Sequence, residues 1–572
     1  MSTKPSSNRL PVVFLWHMHQ PEYRDPRDGV YQQPWTYLHA IKDYADMAAH
    51  LERWPEARVV VNFVPILLEQ LEDYATQIEA YRRRGDVSEL RDPLLVSLAD
   101  PAALAGEQRL AVIEALLRAN RERMIERFAP LERLVETAEA LLQSRDPAGY
   151  ASDAFIGDLS VWYHLAWCGE TLRQTNPTIS GLLEYEGGFD ADARRSLLAV
   201  IGETIGGLFG RFGALADRGQ IELSMTPYAH PITPLLQDLR AGEEAEPAAP
   251  QPQAHEYVDG EVRSRWHIEQ GRQVFRRLLG REPEGCWPAE GAISDATCRL
   301  LDEAGFTWAA SGQQVLRNSL NQAHQTLHCD HQVYTRPAQA LRLFFRDDGL
   351  SDRIGFDYQN WHADDAVDDL VHHLTSIAET CDHLGVEMPL VPIILDGENA
   401  WEHYPDNGFW LLDGLYKRLS AHSRIAMTTF SSFLEKEPQP VELKALVAGS
   451  WVYGNLATWV GEPAKNRAWD RLVEARQAYI DAESVEDWDQ STRARNALQL
   501  AVCEGSDWFW WFGDDNPAEA TRDFDHLFRL QLARLYELIE RPVPANLGEP
   551  ISVPSDDAGR VTGGGTMRRG QA

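Results

Sequence analysis

The stretch Leu390-Val391-Pro392-Ile393-Ile394-Leu395 runs directly into Asp396-Gly397-Glu398-Asn399 and then Ala400-Trp401-Glu402-His403-Tyr404. Six apolar residues with β-branched side chains at the centre read as a buried strand, and the charges that follow mark the point where it emerges. Asp396 and Glu398 are two residues apart, so if the extended backbone persists both carboxylates face the same side. Two like charges that close cannot both ionise freely, and one of them should hold its proton unusually well. A carboxylic acid still protonated near neutral pH, beside aromatic residues, is what a general acid requires.

Working outward, residues 10–16 form a first strand that ends in His17-Met18-His19-Gln20-Pro21, and residues 58–63 form a second. Residues 220–226 alternate as a third and run into Pro227-Tyr228-Ala229-His230, with Glu222, Ser224 and Thr226 on one face. The helix expected over 262–279 leads to Trp287-Pro288-Ala289-Glu290-Gly291, a tight turn before a helix capped by Ser294. Residues 306–310 and 341–345 are further strands, and a helix over 363–383 leads back to the opening stretch. Strands alternating with helices predict an α/β fold with a parallel sheet, whose site lies at the carboxyl ends of the strands.

Two departures from alternation set the domains. Residues 73–212 read as almost wholly helical and are expected to be an insertion into a catalytic domain spanning 1–435. Residues 436–545 read as a C-terminal helical bundle that completes the cleft, and the glycine-rich, polar 546–572 as a disordered tail. The acidic, alanine- and proline-rich 242–253 is a candidate lid beside the site.

The totals narrow the function. With 87 acidic against 54 basic residues, a net charge of −33 over 572 residues disfavours nucleic acid and anionic membrane as partners. Six scattered cysteines without a CxxC pair read as reduced thiols. The N-terminus carries no apolar leader and no apolar run approaches membrane-spanning length, which places the protein in the cytoplasm. Eighteen tryptophans and eighteen tyrosines suit a neutral, flat-ringed substrate.

The strand ends thus offer His17, His19, Gln20, Glu222, His230, Glu290, Asp396 and Glu398, with tryptophans at Trp287, Trp401, Trp451 and Trp510. Two acids on separate strands, with aromatics and histidines between them, suit glycosidic bond cleavage, one carboxylate attacking the anomeric carbon while the other protonates the leaving oxygen. Spacing leaves open which acid is which. The like-charge neighbour favours Asp396 as the proton donor.

Five of these segments, in order, resemble the five sequence regions of glycoside hydrolase family 57: His17-Met18-His19-Gln20-Pro21, Glu222 to His230, Trp287-Pro288-Ala289-Glu290, Asp396-Gly397-Glu398 and Asp507 to Trp511. The third and fourth are most similar to the amylopullulanase and α-amylase branch. The resemblance implies an incomplete (β/α)7 barrel with a helical domain, and retention of anomeric configuration on α-glucans or maltodextrins, with 4-α-glucanotransferase or branching-type transfer as the alternative outcome at the same site. It also implies Glu290 as nucleophile and Asp396 as general acid/base, with His17, His19, Glu222, His230, Trp287, Glu398, Asp507 and Trp510 lining or supporting subsites. Gln20, Trp401 and Trp451 complete the expected binding set. No cofactor or metal is expected.

Two other classes compete. His-x-His at the end of a first strand also looks like the metal site of amidohydrolases, with Asp396 as a late ligand, although no bridging lysine can be assigned. A non-catalytic glycan-binding protein would present the same aromatics without needing Glu290.

Overall fold

The computed structural model describes residues 9–327, 329–398 and 400–554. Ten strands form one sheet: β1 (Leu10–Met18), β2 (Val59–Phe63), β3 (Ile221–Met225), β4 (Gly285–Cys286), β5 (Trp308–Gly312), β6 (Tyr334–Thr335), β7 (Arg342–Arg346), β8 (Val391–Asp396), β9 (Ile425–Met427) and β10 (Val441–Glu442). The order is β10-β6-β7-β5-β4-β3-β2-β1-β8, with β9 beside the start of β1, and every pairing is parallel except β6 with β7. Seven of these strands, β8-β1-β2-β3-β4-β5-β7, curl into an incomplete barrel.

The ring has a seam. β7 and β8 share no strand ladder and meet through isolated bonds: Asp347 N–H to Pro392 O at 2.8 Å and the Arg346 guanidinium to Ile394 O at 2.8 Å. This explains a proline inside a six-residue apolar strand: Pro392 lacks an N–H, which a strand with a ladder on both sides would need.

Period-two alternation builds two cores. Val13, Leu15, Val60, Trp287, Trp308, Ala310, Phe344 and Ile394 point into the barrel and pack with Phe430 and Phe433. Val12, Phe14, Trp16, Val59, Val61, Leu223 and Met225 point outward into the main core. Helix Phe430–Leu434 closes the barrel at its amino-terminal end, Phe430 sitting 4.4 Å from both the Trp308 and Phe344 rings.

The inserted helices run from Pro65 to Asp217, slightly wider than 73–212. Among them Ala191–Asp217 is, by length and composition, apolar enough to cross a bilayer, contrary to the sequence reading. Its buried face of Leu197, Leu198, Ile201, Ile205, Leu208, Phe212 and Leu215 joins the main core.

The C-terminal helices are Pro463–Val485, Gln490–Cys503, Asp507–Trp511 and Ala518–Leu538. Residues 546–552, expected to begin a disordered tail, instead pack on them. Ile551 and Ser552 donate their N–H groups to Asp525, and the Ile551 carbonyl accepts from Arg467. The rest of that expected tail, from 555, lies outside the described residues. The acidic 242–253 segment, expected as a lid, contributes no residue to the cleft lining: Glu244 accepts from Ala448 N–H and Glu246 from Asn455, which holds it beside the 448–455 loop.

Candidate active site

A cleft of about 520 Å³ opens at the carboxyl ends of the strands. Barrel residues His17, His19, Gln20, Glu290, Asp396 and Glu398 form its floor. Trp35 and His39 after β1, with Arg118, Asn120 and Trp167 of the insertion, form one wall. Asp507, Trp510, Trp511 and Phe524 of the C-terminal helices form the other. Arg118 ties the two walls together through Glu519 and Asp523.

Glu290 sits in the turn Ala289–Gly291 with φ at +57°, a left-handed conformation that costs a non-glycine residue of the order of 1 kcal/mol or more. The turn is held from several sides. A side chain at Gly291, itself at φ +57°, would collide with the Trp287 ring. Trp451 donates its backbone N–H to the Glu290 carbonyl at 3.1 Å and its indole N–H to Glu290 Oε2 at 2.8 Å. The Trp451 ring in turn lies edge-on to Trp287 and under the Arg346 guanidinium, 5.1 Å from its centroid. Arg346 is the last inward residue of β7, which places its guanidinium over the aromatic that aims Glu290.

Asp396 ends β8 opposite His17 of β1. Gly397 follows because the strand ends converge: its N–H bonds the His17 carbonyl at 2.7 Å and a Cβ there would strike the Met18 sulfur. The chain then turns Glu398 inward to accept from His19 N–H at 3.1 Å and Gln20 at 3.3 Å. Burial, followed by the charge of Asp396, pushes the Glu398 carboxyl well above the usual carboxylate range. Glu398 is 2 % exposed and Asp396 half-buried, and both line the cleft.

Three histidines stack across the floor. The rings of His19 and His230 lie 3.8 Å apart, and those of His17 and His230 lie 5.2 Å apart. Asn62 donates to Ser224, so its Oδ1 faces His17 and accepts from Nδ1–H at 2.7 Å. His17 Nε2 then accepts from His230 Nε2–H at 3.2 Å, and His230 Nδ1 accepts from the Ser506 hydroxyl at 2.7 Å. Both rings are neutral in this chain of donors. Burial, then the His19 ring, pushes His17 down to about 3, and burial with the same neighbours holds His230 well below the usual range. His19 points its Nε2 at both Asp507 oxygens, each 3.0 Å away. His19, His230 and Asp507 could together hold a cation.

Four expected subsite residues are placed elsewhere. Trp287 is wholly buried in the barrel core, and Trp401 is buried against Trp16 with its indole N–H on the Gly397 carbonyl. His230 is buried behind His17 and acts through it. Glu222 lies at the opposite end of the barrel, accepting from Trp308 at 2.6 Å and from the Ser431 N–H and hydroxyl at 2.9 and 2.7 Å. It anchors the first turn of the closing helix, where unpaired N–H groups favour a carboxylate.

The family model for glycosyl hydrolase family 57 matches residues 13–445. Among solved structures, a branching enzyme from Pyrococcus horikoshii is similar at 16% identity and TM-score 0.56, over 96% of this chain and 99% of that one. A branching enzyme from Thermococcus kodakaraensis, solved with glucose, is similar at 15% and 0.56, over 92% and 90%. The α-amylase AmyC from Thermotoga maritima is similar at 13% and 0.57, over 93% of each chain. No curated protein matches. With its seven-strand open barrel and a family match over most of its length, the chain belongs to glycosyl hydrolase family 57.

Proposed function

We propose that the protein cleaves α-1,4-glucans with retention, by double displacement through Glu290 and Asp396. The observation that carries this reading is that Glu290 and Asp396, brought from separate strands, line one cleft, with Glu290 fixed by the Trp451 indole. Glu290 attacks the anomeric carbon while Asp396 protonates the departing oxygen; Asp396 then takes a proton from the acceptor, which displaces Glu290. Within the pair, Glu398 is the carboxyl that burial and then the charge of Asp396 push upward, and Asp396 lines the cleft with Glu290. The α-glucan class follows from the structural neighbours, which are named branching enzymes and an α-amylase.

Transfer to a sugar hydroxyl is the second reading. It is favoured by the part-exposed rings Trp35 on one wall and Trp511 on the other, which offer a second glucan chain a stacking surface. Incubation with maltoheptaose, amylose and pullulan, with product chromatography and NMR of the first anomer formed, separates the outcomes. Hydrolysis yields shorter reducing sugars of retained configuration, and transfer yields longer or branched products. Glu290→Gln should lower kcat by several orders of magnitude with binding preserved; a variant that turns over normally sinks the assignment.

A further inference from the structure

At the barrel seam, outside the cleft, Cys329 Sγ lies 3.6 Å from Cys381 Sγ and 4.0 Å from His331 Nδ1. The three donor atoms all lie within 4.8 Å of one another, and both cysteines are buried. The far nitrogen, His331 Nε2, bonds Asp347 Oδ2 at 2.9 Å. We infer that Cys329, His331 and Cys381 form a zinc site that staples the seam between β7 and β8.

The geometry is that of a tetrahedral ion. Zinc holds sulfur at about 2.3 Å and nitrogen at about 2.0–2.1 Å, so tetrahedral ligand pairs stand about 3.8 Å apart for S···S and about 3.6 Å for S···N. The Cys329–Cys381 and Cys329–His331 separations differ from these by a few tenths of an ångström, and the Cys381–His331 pair lies within 4.8 Å. A carboxylate on the outer nitrogen of a histidine fixes the ring and directs the inner nitrogen toward the metal, and Asp347 is placed to do this for Nδ1. Two thiolates with one imidazole favour zinc over magnesium or calcium. Solvent would supply the fourth ligand.

The position gives the site its role. The His331 carbonyl accepts from Leu390 N–H at 3.1 Å, just ahead of β8, and the Asp347 N–H bonds Pro392 of β8. Asp347 also caps helix Asp348–Asp352 behind β7. Cys381 sits near the end of helix Ala363–Leu384, which delivers the chain to β8. One ion would therefore join the segment before β7, the residue after it and the helix before β8, where the sheet has no ladder.

The test uses the full-length protein stripped with chelator and reloaded with zinc or cobalt(II). The expected result is one zinc per chain after gel filtration, a thiolate-to-cobalt charge-transfer band, and a melting temperature that falls on chelation and recovers with zinc. Cys329→Ser and Cys381→Ser should abolish the band. Asp347→Asn, which keeps all three ligands, should weaken zinc by about 10–100-fold. The band also separates this site from His19, His230 and Asp507, which contain no thiol. Unchanged zinc uptake in Cys381→Ser, no thiolate band in the cobalt form, or a Cys329–Cys381 disulfide in the protein as isolated would each overturn the assignment.

Discussion

His17→Gln offers a test of the neutral histidine relay that is independent of turnover. In the folded protein His17 takes up a proton only near pH 3, whereas in the unfolded chain the ring titrates near 6.5. Between those values the unfolded state binds more protons, so stability contributed by this residue is present above pH 6.5 and lost as pH falls through the window. At pH 5 the linkage amounts to about 2 kcal/mol, since each pH unit below 6.5 is worth about 1.36 kcal/mol while the folded ring stays neutral. His17 is 3 % exposed, so solvent screening removes little of this. Urea denaturation of wild type and His17→Gln at pH 8 and pH 5, followed by tryptophan fluorescence, measures the difference. The wild-type advantage should shrink by about 2 kcal/mol between the two conditions. A gap that stays constant would mean that His17 accepts a proton in the fold, and the assignment of donors from Asn62 to Ser506 would be wrong.

Replacing Trp451 with Phe removes the indole donor to Glu290 and should lower kcat by about 10–100-fold with KM little changed, the worth of one hydrogen bond to a charged group; steady-state rates within twofold of wild type would remove Trp451 from the mechanism. Glu398→Gln should act on stability with the opposite pH sign to His17. The raised carboxyl keeps its proton in the fold while the unfolded chain ionises above about pH 4.5, so wild type loses stability as pH rises above that value. The melting temperature of Glu398→Gln should therefore exceed wild type at pH 8 and match it at pH 4, as differential scanning calorimetry would report. Glu222→Ala leaves the indole of the buried Trp308 and two part-buried Ser431 donors without their acceptor and should cost about 3 kcal/mol in chemical denaturation while KM stays near wild type; a raised KM in a protein of unchanged stability would return Glu222 to the cleft.

Strand ends were legible because extended chain in a parallel barrel has one direction and one period. His17, Glu290 and Asp396 were found from local runs alone, and the structure places them together. Depth along a strand was not legible. Glu222 and Thr226 share the inward face of the third strand, yet Glu222 meets the helix that closes the bottom of the barrel while Thr226, beyond the strand, bonds Asn62 of the floor. Tryptophans misled for a related reason: Trp287 and Trp401 sit one position from a turn, as a stacking ring would, but Gly291 and Gly408 let the backbone close over them. Trp35 and Arg118 carried no signal, since their place in the wall depends on how inserted helices dock and not on any local pattern. The upward push on the Glu398 carboxyl comes first from its burial, which the spacing of two acids does not encode.

The contact between His19 and Asp507 joins residues 488 positions apart, and Trp510 and Trp511 stand on the same late helix. One bank of the groove is therefore supplied by the first strand of the barrel and the other by a helix far along the chain, so the groove closes only when the two ends of the sequence meet. A chain truncated near residue 500 loses this bank together with Glu504, the buried partner of Arg263 and His267, and should grip glucan poorly.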